Sequence, residues 1–299
     1  MKTLLFTGAS GFLGQNIMPA LLMQYDKVAT LGRNSVNDIQ ADLSADVPIL
    51  PQRFSTVLHA AGLAHTIPSD ERERQRFFDV NVGGTHNLCL ALEKSGVPDC
   101  FIYISSVAVY GCDEGTMIDE NHPLNGHTPY ALSKIKAEKY LDKWCTDHGV
   151  TLTILRPALI VGKNAPGNLG AMTRAIRKGF YINISGGKAR KSMLMADDIA
   201  RILPLAEKRG GIYNLCDSSH PSFSDISALI SRQMNKCKPL SVPNILSKLR
   251  AWCGDISGGK LPIDSRRLAK MTATLTFSNL KATQELGWQP LDVLTHFKP

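Results

Sequence analysis

The first half of the chain alternates short apolar runs with longer stretches whose apolar residues recur every three or four positions. The runs are KTLLFT, VATL, TVLHAA, CFIYIS and TLTILRP, at residues 2–7, 28–31, 56–61, 100–105 and 151–157. Each is rich in Leu, Ile, Val or Phe and too short for a buried helix, so each predicts a strand. Between them, residues 74–95 and 129–148 carry helical spacing. Thr128 can cap the second of these, and Pro129 suits a first turn, where no N–H is needed. Continuous apolar strands separated by helices predict an α/β fold with a parallel sheet covered on both faces. After about residue 157 Pro and Gly become frequent, and GIYNL (211–215) sits as a short strand pattern among helical ones at 223–234 and 279–287. No repeat or linker divides the chain. The expected organisation is a doubly wound parallel sheet over 1–160, rejoined by some later segments, with 161–299 forming mainly a smaller, mixed substrate-binding region.

With 299 residues, 43% hydrophobic and 20% charged, the chain has the balance of a folded globular protein. No apolar run approaches the roughly 20 residues that span a bilayer. MKTLLFTGAS runs into a glycine loop too soon for a secretion signal. Seven cysteines, at 89, 100, 112, 145, 216, 237 and 253, show neither CxxC nor zinc-site spacing. Reduced thiols, no metal, a cytoplasmic location and no membrane partner are the corresponding expectations. The net charge of +8 is modest, and no Lys/Arg run suggests a nucleic-acid arm. It suits instead a cleft that draws in an anionic ligand.

TGASGFLG places Gly8, Gly11 and Gly14 directly after the first strand and at the start of a helix. Glycines let the backbone turn sharply and approach a pyrophosphate, which the helix N-terminus then stabilises. Ser10, Phe12 and Leu13 belong to the same expected cofactor loop. Pro19, inside the helix, should remove a hydrogen bond and bend the axis, but beyond the glycines. About eighteen residues past Gly14, an Asp or Glu would receive the adenosine ribose hydroxyls and select NAD. VATLGRN supplies Gly32 and Arg33 there. With no acid to repel a 2′-phosphate and a guanidinium able to fork onto it, NADP(H) is expected over NAD(H), which stays open. Asp42 and Leu43 fit a pair flanking the adenine.

Further motifs follow in order: HAAG at 59–62, NVGGT at 81–85, YISSVAVYG at 103–111, Tyr130-Ala-Leu-Ser-Lys134, and LRPALIVG at 155–162. With them the chain resembles the extended short-chain dehydrogenase/reductase family, the NAD-dependent epimerases and dehydratases, over nearly its whole length. The resemblance implies a Rossmann-type sheet, a C-terminal substrate region and an NAD(P)-dependent oxidoreductase or epimerase. It implies cofactor contacts from Ala60, Ala61, Gly62, Asn81, Ser105, Tyr130, Lys134 and Pro157, and a catalytic triad of Ser106, Tyr130 and Lys134. Tyr130 and Lys134, one helical turn apart, share a face. A free phenol titrates near 10, so carrying a proton at neutral pH calls for a fall of about three units, or roughly 4 kcal/mol. Lys134 and the oxidised nicotinamide are expected to supply it.

For the substrate, Asn168 resembles the Asn that contacts the diphosphate or base of a nucleotide sugar. Arg190, seven before Asp197, resembles the family's phosphate-contacting Arg, and Arg267 is a weaker match. Dehydratases follow their catalytic Ser/Thr with Asp-Glu, whereas Ser106 is followed by Val107-Ala108, which argues against water elimination. GNLGAMTRAIRKG and TQELGW look most like bacterial reductases of UDP-4-keto-6-deoxy-N-acetylhexosamines used for surface polysaccharide. The expectation is NADPH-dependent reduction of a 4-keto nucleotide sugar, with a UDP-sugar 4-epimerase as rival. A non-catalytic NADP-binding regulator is the rival of another class. Relatives often dimerise through the helices at 74–95 and 129–148, so a homodimer is a further expectation.

Overall fold

A computed structural model describes the chain except for residues 65, 244–267 and 270–271. Arg267 and Cys253 therefore lie outside the described residues. The strands, in chain order, are β1 (Thr3–Thr7), β2 (Lys27–Gly32), β3 (Ile39–Gln40), β4 (Thr56–His59), β5 (Cys100–Ile104), β6 (Gly115–Ile118) and β7 (Thr151–Pro157). They continue as β8 (Leu159–Val161), β9 (Ile182–Asn183), β10 (Met193–Met195), β11 (Gly211–Leu215), β12 (Leu240–Ser241) and β13 (Leu275–Phe277). Helices α1 (Phe12–Gln24), α2 (Glu71–Phe78), α3 (Gly84–Ser95), α4 (Pro129–His148), α5 (Gly167–Arg177), α6 (Ala196–Arg209) and α7 (Phe223–Gln233) lie between them. Two short helices, Leu280–Leu286 and Val293–His296, follow β13.

Seven strands form one sheet in the order β11-β7-β5-β4-β1-β2-β3, and every pairing in it is parallel. From β1 the chain first builds outward through β2 and β3, then returns to β1's other side for β4. The carboxyl ends of β1 and β4 thus flank the point where winding reverses, and there a crevice opens. β1, β4 and β5 are buried at every position, because each face carries a core. Leu4, Phe6 and Ile102 pack with Ile17, Leu21, Ile199 and Leu203 from α1 and α6. Leu5, Val57 and Phe101 turn the other way, onto Leu88 and Leu92 of α3 and Leu141 and Trp144 of α4. Fully burying one such side chain contributes about 1.5–3 kcal/mol, so this double-sided patterning is what commits the strands to the centre of the sheet.

All five expected strands form. The stretch expected as one helix over 74–95 is instead α2, a wider π-type turn at Asp79–Gly83, and α3. That turn carries Asn81, 1% exposed, whose amide bonds explain the break below. GIYNL does not stay with the C-terminal region but closes the main sheet as β11, beside β7. α1 continues through Pro19 as a single helix. The later chain has its own core of Val161, Leu169, Met172, Ile176, Ile226, Ile230 and Phe297.

Candidate active site

β1 ends in the glycine loop. Gly8 has φ +85° and lies so close to the end of β4 that a Cβ would sit 2.7 Å from the Ala61 nitrogen. Thr7 holds the two strand ends together: its carbonyl accepts from Ala60 N–H at 3.2 Å and its hydroxyl from Ala61 N–H at 3.1 Å. α1 starts behind Gly11 with no side-chain cap and no acid in its first turn. Its leading N–H groups and the positive end of its dipole face the crevice, which is what a pyrophosphate requires. Ser10 and Gly11 are exposed there, Phe12 and Leu13 half-buried, and Gly14 packs on Ala9.

At the far end of this groove Arg33 stands exposed past β2. The Asp42 carboxyl is held below the usual range, first by the Ser44 hydroxyl at 2.7 Å and also by the charges of Arg33 and Arg76. Leu43 is buried, and its carbonyl accepts from the Asn87 amide at 2.8 Å. Arg76 escaped the sequence reading because only the packing of α2 brings it near Asp42.

β5 delivers Ser105 and Ser106, and strand alternation turns them apart. Ser106 hydrogen-bonds Tyr130 and accepts from Ala108 N–H at 3.1 Å. Thr128 caps α4 by accepting from Ala131 N–H, as its sequence position predicts. Lys134, 4% exposed, donates its Nζ to the Ile104 carbonyl at 2.8 Å and lies 4.6 Å from the Tyr103 ring centroid. A Cβ on Gly62 would lie 3.4 Å from that Nζ and 2.9 Å from Asn81 Oδ1, so the HAAG turn, Asn81 and Lys134 share one corner. Asn81 closes it, accepting from Leu63 N–H at 2.7 Å and donating to the Leu63 carbonyl and to Ser133 Oγ. Pro157 ends β7 beside this edge.

Burial dominates the electrostatics of the triad in the protein alone. Burial raises the Tyr130 phenol, and the hydrogen bond from Ser106 opposes it. Burial likewise pushes Lys134 down to about 8, with Glu138 pulling the other way. For the phenol, the cost of removing a charge from water outweighs the Ser106 hydrogen bond.

Glu138 is the residue the sequence reading missed. It stands one turn past Lys134, completing a Tyr130–Lys134–Glu138 stripe, and is 3% exposed. Arg156 grips its carboxylate at 2.6 and 3.1 Å, and Ser105 donates to it. Arg156 also donates to Tyr110 Oη at 3.0 Å, and Tyr110 donates to Asn214 Oδ1 at 2.7 Å. The i, i+4, i+8 spacing was the available signal; the arginine, on another element, gave none. Ser105 therefore faces this buried network.

Of the substrate candidates, Asn168 is exposed in the first turn of α5, where the cap position belongs to Pro166. Arg190 uses its guanidinium on the carbonyls of Ser219 and His220, at 3.4 and 3.0 Å. The next residue, Lys191, is half-buried; burial lowers its amine and Asp113, past the Ser106 loop, opposes this. Among the described residues no group of His, Cys, Asp and Glu could hold a metal, and no helix is long and apolar enough to cross a membrane.

Residues 4–216 match the profile of the NAD dependent epimerase/dehydratase family. The chain belongs to that family. As a member of the NAD dependent epimerase/dehydratase family it is an NAD(P)-dependent enzyme, and the glycine loop fits that cofactor. Curated relatives include the N-acetyl-alpha-D-glucosaminyl-diphospho-ditrans,octacis-undecaprenol 4-epimerase of Escherichia coli O157:H7, 29% identical, covering 93% of this chain and 87% of that protein. The GDP-6-deoxy-D-mannose reductase of Pseudomonas aeruginosa is 28% identical, covering 77% and 79%. Among solved structures, RMD from Pseudomonas aeruginosa complexed with NADPH superposes with TM-score 0.74 at 21% identity, over 99% of this chain and 96% of that one. The UDP-glucose 4-epimerase of Thermotoga maritima with UDP-glucose gives 0.74 at 18%, over 98% and 95%. At those identities the superpositions establish the fold.

Proposed function

We propose that this enzyme catalyses the NADPH-dependent reduction of a UDP-linked 4-keto sugar in the synthesis of surface polysaccharide precursors. The observation that carries it is the arrangement of Tyr130 hydrogen-bonded to Ser106, with Lys134 fixed on the Ile104 carbonyl, at the carboxyl edge of the sheet. Arg33, exposed where an NAD-selecting acid would stand, supports NADPH as the cofactor.

When bound, NADPH supplies the hydride. Tyr130, neutral at physiological pH, gives its proton to the carbonyl oxygen as negative charge develops there. Ser106 steadies that oxygen through a hydrogen bond. Lys134, fixed on the Ile104 carbonyl, then stabilises the phenolate left on Tyr130. Asn168 and Arg190 are the proposed contacts to the nucleotide, along with Arg267. The relatives also support a second reading, a UDP-sugar 4-epimerase, since the UDP-glucose 4-epimerase of Vibrio cholerae is 27% identical over 98% of this chain.

The test mixes the purified enzyme with NADPH or NADH and a panel of UDP- and dTDP-4-keto sugars. Stoichiometric loss of NADPH absorbance supports the reductase. Interconversion of UDP-sugars without net cofactor consumption replaces it with the epimerase.

A further inference from the structure

The positive charge of this protein is concentrated in its C-terminal region. Residues 149–196 hold eight Arg and Lys and no Asp or Glu; residues 226–243 hold three and again none. Arg156 is committed to Glu138, but Arg177, Lys178, Lys236 and Lys238 are exposed. These two acid-free segments meet where β12 pairs with β9.

That two-stranded ribbon is apolar on its outer side. Leu240 pairs with Ile182, so the two side chains share a face. They are 78% and 36% exposed, and Phe180, two residues before Ile182, is 66% exposed. The intervening Tyr181 packs into the C-terminal core and Asn183 is fully buried, which keeps Phe180 and Ile182 on the outward side. Lys178 and Lys238 flank this apolar trio.

A cavity of about 500 Å³ adjoins it, lined by Ser231, Arg232, Lys236 and Lys238 among others. Lys238 lies two residues from Leu240, about 7 Å along a strand. Ser231 is 1% exposed and its hydroxyl has no hydrogen-bond partner. Asp225 is the one acid on the lining among the described residues, and its carboxylate is engaged by Ser222 N–H and Oγ in the α7 capping box. The cavity therefore offers cations to an anion, beside apolar side chains that gain nothing from water.

We propose that this face docks the enzyme peripherally on an anionic phospholipid bilayer, with a lipid phosphate in the Ser231–Lys238 cavity and Phe180, Ile182 and Leu240 entering the interface. Basic residues around exposed apolar ones are the combination an anionic bilayer rewards. A nucleic acid would answer the charge but leave the aliphatic pair uncovered. No membrane-spanning segment is needed, and the docking does not depend on which sugar reaction the crevice performs.

The experiment sediments the full chain with vesicles of pure phosphatidylcholine, or of phosphatidylcholine with roughly a third phosphatidylglycerol. Binding is expected to the anionic vesicles alone and to fall sharply in about 0.5 M salt. Lys236→Gln with Lys238→Gln should weaken it about 25-fold, at about fivefold per charge. Phe180→Ser with Leu240→Ser should weaken it too, with NADPH binding in solution and the circular dichroism spectrum unchanged. Equal sedimentation with neutral vesicles, absence of binding, wild-type binding by both variants, or displacement from vesicles by duplex DNA would each overturn the proposal.

Discussion

The sheet carries a charged pair beside a tyrosine hydroxyl at both of its edges. At the amino edge Lys2 meets Glu207 at 2.7 Å, and Glu207 accepts from Tyr25 and from Thr56. At the carboxyl edge Arg156 meets Glu138, and Arg156 donates to Tyr110. The parts are alike but the surroundings differ. Lys2 is 38% exposed on its side chain, whereas Arg156 and Glu138 are 3% and 4%. The amino-edge group fastens β1, β4 and α1 to α6. The carboxyl-edge group lies under the proposed catalytic residues: Glu138 acts on Lys134 and receives Ser105, the neighbour of Ser106. The buried pair thus supports the proposed site at one edge, while the more exposed pair serves packing at the other.

Removing the proton donor should have the largest effect on the carboxyl edge. Tyr130→Phe is expected to lower turnover by about 10²–10⁴-fold while NADPH affinity, followed by fluorescence, is kept. Arg156→Met leaves Glu138 buried without its cation and should cost about 3–5 kcal/mol, read from urea denaturation, with turnover falling as well. An intact turnover in that variant would dissolve the proposed link between the two. Arg33→Ser should weaken NADPH binding about 10- to 100-fold and leave NADH unchanged, since a charged hydrogen bond is worth about 1.5–3 kcal/mol.

His59 offers a pH test inside the sheet. It is 1% exposed between Thr7 and Thr85, and burial, helped by the Lys134 charge, pushes it down from 6.5 to about 3. The unfolded chain takes up a proton that the folded imidazole refuses, so this contribution is full above pH 6.5 and lost as pH falls toward 3. By about pH 5 the loss should reach about 2 kcal/mol, and His59→Gln should flatten that slope in urea titrations. The smallest effect belongs to the amino edge: Glu207→Gln should cost about 1 kcal/mol and leave kcat and KM alone.

Local patterns made the central features legible. The strand runs, the glycine loop, the Thr128 cap and the Tyr130–Lys134 spacing each sit within one short stretch of chain. What stayed hidden depends on distant segments meeting. Arg156 and Glu138 lie on a strand and a helix, and nothing in either stretch names the other. Asn81 looked like the middle of a helix, yet its amide bonds to Leu63 and Ser133 accompany the π-type turn there. The direction in which burial moves the Tyr130 phenol was hidden for a related reason: the sequence shows which cation is near, but not how much water is excluded. Arg190 matched by spacing, and its bonds to the Ser219 and His220 carbonyls come from a loop about thirty residues on.

β6, directly after the Ser106 loop, is paired with β13, and Phe277 of β13 stacks on Tyr110 with ring centroids 5.9 Å apart. On a ribosome, the last strand of the sheet emerges with β11, but the floor beneath the Ser106 loop waits for residue 277 and one face of the core for Trp288. Nascent chains halted before that point should stay loosely packed and inert.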